Sequence, residues 1–97
     1  MKRAYLLVFS DEFGTRDQVK QWLNELPQVT YWRYDMPHSF YLISEASASD
    51  IADSLHERSA KGRFIVSEVT DNKSGWLPTD TWYLLAHKDH KPTDKAK

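Results

Sequence analysis

Residues 4 to 9, Ala-Tyr-Leu-Leu-Val-Phe, form an unbroken apolar run. Alternation is what a strand with one wet face shows, so an unbroken run predicts a strand covered on both faces and hence central in its sheet. After the polar stretch from Ser10 to Gly14, Thr15 and Gln18 have capping-box spacing, in which hydroxyl and amide satisfy each other's backbone donors. Val19, Trp22, Leu23 and Leu26 then fall at i, i+3, i+4 and i+7, with Lys20, Gln21, Asn24 and Glu25 on the opposite side. That periodicity predicts an amphipathic helix, which Pro27 ends.

Val29 to Tyr34 is rich in aromatic and β-branched residues, Asp35 to His38 reads as a turn, and Phe40 to Ile43 is again apolar throughout. The pair predicts a hairpin whose second strand is also buried on both faces. Ser47 to Asp50 offers helix N-caps, and Ala48, Ile51, Ala52 and Leu55 form a narrow stripe, with Gly62 placed for a left-handed C-terminal cap. Phe64 to Val69 has the mixed polarity of an edge strand. Past the loop Asp71 to Gly75 and the sequence Trp76-Leu77-Pro78, residues Thr79 to Leu85 read as a short helix in preference to a last strand. The polar, basic stretch from His87 to Lys97 is expected to be a disordered tail, leaving residues 1 to 86 as one domain.

The order β-α-β-β-α-β predicts an α+β, ferredoxin-like domain: a four-stranded antiparallel sheet with two helices on one face, plus a C-terminal Trp-rich segment. Right-handed crossovers place the first and third strands in the centre. Two helices cover only one face, yet both central strands are apolar on both. The second face therefore needs a cover: the segment Trp76 to Leu85, a second copy of the chain, or a ligand.

Composition narrows the options. Ninety-seven residues with 40% hydrophobic content build one core and no second domain. With 13 basic and 14 acidic side chains the net charge is −1, which argues against the global positive field of a nucleic-acid binder. The absence of Cys removes disulfides, thiolate catalysis and cysteine metal sites. No apolar run is long enough to span a bilayer and no signal-peptide pattern opens the chain, so a cytoplasmic location is expected.

Three constellations contain chemistry. Asp11 and Glu12 follow the first strand, where a carboxylate can hold a divalent metal, although a solvated loop ahead of a helix has the same composition. Tyr34, Asp35, His38 and Ser39 collect acid–base side chains in a turn, a place that gathers such residues for structural reasons too. Tyr5, Tyr31, Trp32, Tyr34, Tyr41 and Arg33, with Arg58, Lys61 and Arg63, set rings and cations on or near the sheet, as single-strand-binding surfaces do. Trp76 and Trp82 complete the set of binding candidates. His87 and His90 have ligand-like spacing but lie in the expected tail.

The apolar first strand ending near an acid, Trp32 and Tyr34 before the turn, Ser47 to Asp50, Arg63 to Val69, and Gly75-Trp76-Leu77-Pro78 with Trp82 together resemble one diffuse group. It comprises small bacterial ferredoxin-like proteins related in outline to the CRISPR-associated spacer-integration scaffold and similar to its endoribonuclease-like members, over residues 4 to 85. The resemblance implies a homodimer, a defence-related setting, nucleic acid as partner in some members, and a metal-binding Asp at the end of the first strand. Here Ser10 stands where that Asp is expected and Asp11 follows it; one residue reverses the face of a strand side chain. The expected function is therefore a non-catalytic, cofactor-free, dimeric binding or assembly protein without membrane attachment, with a protein partner possible. The alternatives are a magnesium- or manganese-dependent nuclease with Asp11 as catalytic residue, and a nucleic-acid-binding module without catalysis.

Overall fold

A computed structural model describes residues 1–90, in the order β1 (Arg3–Phe9), α1 (Arg16–Glu25), β2 (Val29–Arg33), β3 (Ser39–Ser44), α2 (Ala48–Arg58), β4 (Phe64–Glu68) and α3 (Thr79–His87). The strands form one antiparallel sheet in the order β2-β3-β1-β4. This is the ferredoxin-like arrangement, with the two uniformly apolar strands in the middle. β3 is buried along its whole length. No helix among the described residues is long and apolar enough to cross a membrane.

Side-chain alternation sorts the central strands onto two cores. Tyr5, Leu7 and Phe9 of β1 and Phe40 and Leu42 of β3 meet Val19 and Leu23 of α1 and Ile51 and Leu55 of α2. Ala4 of β1 and Tyr41 and Ile43 of β3 meet Leu84 and Leu85 of α3 on the opposite side, with Leu6, Tyr31, Leu77 and Trp82 packed around them. Each fully buried aliphatic or aromatic side chain contributes roughly 1.5–3 kcal/mol relative to exposure, so the second core adds substantially to the first.

Local chemistry fixes the elements. The Thr15–Gln18 capping box forms, with Gln18 N–H donating to Thr15 Oγ1 at 3.1 Å and Thr15 N–H to Gln18 Oε1 at 2.9 Å. Ser47 caps α2 through the Asp50 N–H at 3.1 Å. On β2 the register slips between Val29 and Tyr31, two residues standing against one on β3. That bulge sends Val29 to the first core and Tyr31 to the second, although a regular strand would place them on one face.

Two expectations change. Gly62 is not the cap of α2, which ends at Ser59 in extended conformation. Its φ of +69° serves instead where the loop before β4 crosses the loop after β1, and a Cβ there would lie 2.7 Å from Ser10 Oγ. α3 runs to His87, two residues past the expected helix and one past the expected domain boundary, and Lys88 closes it in the left-handed region. The expected disordered tail lies, from residue 91 onward, outside the described residues.

α3 is fastened to the sheet by a polar latch as well as by Leu84 and Leu85. Thr81 is fully buried; it accepts from Arg33 Nε at 2.6 Å and donates to Asp35 Oδ2 at 2.5 Å, while Arg33 Nη2 lies 3.4 Å from Asp35. Thr81→Val keeps the shape but leaves two charged partners short of a hydrogen bond in a part-buried site. The expected loss is about 1–3 kcal/mol, read as a lower urea midpoint with an unchanged slope.

Candidate functional site

Asp11 and His38 come together at the end of the sheet where β1 finishes and β3 begins. The Asp11 carboxylate pairs with His38 Nε2, with the Asp11 side chain largely in solvent and that of His38 half-buried. The His38 carbonyl accepts from Phe9 N–H at 3.0 Å, and the imidazole lies edge-on to the Phe9 ring, so an extension of the β1–β3 ladder positions it. Ser10, the neighbour in sequence, ties two loops together. Its backbone N–H donates to Arg63 O and its hydroxyl accepts from Arg63 N–H, each at 2.9 Å. The acid–base turn is divided between two places. His38 faces Asp11, whereas Asp35 faces Arg33 and Thr81. Among the described residues no three His, Cys, Asp or Glu side chains converge as a metal-binding group would.

The aromatic and basic candidates are largely engaged. Tyr5 is 1% exposed and its hydroxyl donates to Ala46 O at 2.6 Å. Tyr41 is 4% exposed and belongs to the second core. Trp32 and Tyr34 stack at 6.4 Å, but Lys20 sits over the Trp32 ring and Arg16 over Tyr34, while Trp32 Nε1 donates to Asn24. A base would have to displace these cations to reach a ring face. Arg33 belongs to the α3 latch, and Arg58 pairs with Glu25. A groove of about 430 Å³ between the start of α1 and the end of α2 contains Lys61 and Arg58, yet Asp11 and Glu12 line it as well, so its charge is mixed.

Uncovered apolar surface gathers on the second face, beyond the edge of α3. Val8 and Ile65 are partners across β1 and β4 and are 42% and 62% exposed. Both alternate out of the first core, since Leu7, Phe9, Phe64 and Val66 take the opposite face. Nearby, a groove of about 340 Å³ opens between the sheet and the segment before α3, floored by Leu6, Tyr41 and Leu85 and walled by Met36, Leu77 and Trp82. Trp76 stands on its rim and is 99% exposed. Ser39, which pairs with Val8, has a buried hydroxyl without a hydrogen-bond partner. Val8, Ile65 and Met36 are not among the binding candidates that the sequence singles out. Parity along the strands is the signal that marks Val8 and Ile65, and no sequence signal marks the limit of the α3 footprint.

Among the described residues, three groups titrate away from their ordinary values. Burial raises the Tyr41 phenol, with Asp35 adding to the shift and Arg33 opposing it. The Tyr31 phenol is raised by its hydrogen bond to Asp89, and the Glu25 carboxyl is lowered by hydrogen bonds from Gln21 and then Arg58. Compared with protein-family models, curated proteins and solved structures, the chain has no match.

A phenol raised in the folded state stabilises the fold fully below its unfolded value of 10.0, and the contribution is lost as pH rises through the folded value. Alkaline unfolding should therefore steepen above pH 10, and Tyr41→Phe should flatten that limb. Denaturant midpoints measured on both proteins across the range check this.

Proposed function

We propose that the chain is a non-catalytic binding or assembly protein that acts as a homodimer, using the part of the second sheet face that α3 leaves open. One observation carries this reading: the centre of the sheet is built apolar on both sides, α3 closes only part of the second side, and Val8, Ile65, Met36 and Trp76 remain exposed around the opening. Isolated exposed apolar residues are ordinary, but several on one face beside an apolar groove mark an interaction surface.

Nuclease chemistry at Asp11 draws less support, because the carboxylate pairs with His38 and, among the described residues, no three His, Cys, Asp or Glu side chains converge on it. Nucleic-acid stacking draws less again, given a net charge of −1 and sheet rings (Tyr5, Trp32, Tyr34 and Tyr41) already enclosed or topped by cations.

Light scattering at micromolar concentration should find a dimer, and Ile65→Asp, which places a charge at an exposed position, should give a monomer that keeps the wild-type circular dichroism spectrum. A wild type that stays monomeric overturns the reading. Magnesium- or manganese-dependent cutting of RNA or DNA that disappears in Asp11→Ala would replace it with the nuclease.

A further inference from the structure

We propose that the Trp76 indole of one copy seats in the groove above Tyr41 of a second copy, which returns the same contact, so that the dimer closes through two reciprocal insertions. This rests on the dimeric reading above and specifies its contact.

Trp76 is 99% exposed, and a whole indole in water forgoes one of the largest apolar gains open to any side chain. It stands at the rim of a recess on its own chain, so projection and cavity belong to one patch. A two-fold interface requires that kind of patch, because the same surface must be complementary to itself. The recess, about 340 Å³, falls in the range of roughly 300–1,000 Å³ typical of cavities that take small organic groups. Leu6, Tyr41 and Leu85 give it an apolar floor, while Lys73 and Ser74 supply polar groups at its margin.

Area and charge favour a second copy as the occupant. Each buried indole removes roughly 150–250 Å² from water. Two of them, the walls they cover and the adjoining Val8, Ile65 and Met36 approach the roughly 1,200 Å² at which stable interfaces begin. A net charge of −1 sets little repulsion between copies.

Sedimentation of wild type, Trp76→Ala, Met36→Glu and an equimolar mixture of the two variants tests the contact. Both replaced side chains are exposed, so neither change should disturb folding, and circular dichroism should show the wild-type spectrum for each. Each variant alone should self-associate at least about ten-fold more weakly than wild type. The mixture should form a heterodimer tighter than either variant's own dimer and weaker than wild type, because one of the two insertions survives in it: Trp76→Ala keeps the floor of the groove, Leu6, Tyr41 and Leu85, and Met36→Glu keeps the indole. A dimeric wild type with an equally tight Trp76→Ala dimer overturns the insertion while leaving the dimer in place, as when a different protein or a different surface is the true occupant. Dissociated variants whose mixture associates no better than either alone overturn the pairing of the indole with this groove. A monomeric wild type removes both this contact and the reading beneath it.

Discussion

Thr81 determines much about this molecule because it joins two elements that sequence leaves far apart. Its hydroxyl sits between Arg33 at the end of β2 and Asp35 in the following turn, and it is buried in the first turn of α3. A sheet whose central strands are apolar on both sides would otherwise face water along its second side. The latch sets where α3 lies, and Leu84 and Leu85 then follow onto Ala4, Tyr41 and Ile43. Because charged partners in a part-buried site are costly to leave unpaired, the latch specifies one docking position among the many that an apolar surface would tolerate.

That position has a consequence for the surface. α3 is only nine residues long, about 13 Å at the rise of an α-helix, and a helix of that length cannot roof four strands. It covers the end of the face near Ala4 and Ile43 and leaves the end near Val8 and Ile65 open. The same placement closes off Tyr41, the ring that an open sheet would have offered to an unpaired base. What the sheet presents is therefore an apolar patch with a recess.

Much of the fold is legible in the chain because it rests on local signals. The run from Ala4 to Phe9, the stripe from Val19 to Leu26 and the Thr15–Gln18 pair each report on neighbours within a few residues, and each forms the element it predicts. Non-local pairings are not legible. Asp11 meets His38 across 27 positions, and Arg33 meets Thr81 across 48. Gly62 escapes a local reading for the same reason: its left-handed backbone answers to Ser10 and Phe13, not to the helix that precedes it. The open patch is similarly split, since Val8, Met36, Ile65 and Trp76 share a surface only once β4 lies beside β1 and α3 has taken its place.

The sheet could also associate through an edge, and the character of β4 bears on which route it takes. An edge strand presents unpaired backbone donors and acceptors, and long, flat, apolar edges invite further strands. β4 is five residues long, begins next to Arg63, ends in Glu68 and carries Ser67 at a position opposite Leu6. Charge and brevity both work against extending the ladder there. Ile65 points out of the face instead of along the edge, toward Val8 and the open part of the second side. With the β4 edge guarded and the face apolar, the proposed association would rest on packing of side chains on side chains, where the shape of the groove and the projection of Trp76 decide the fit.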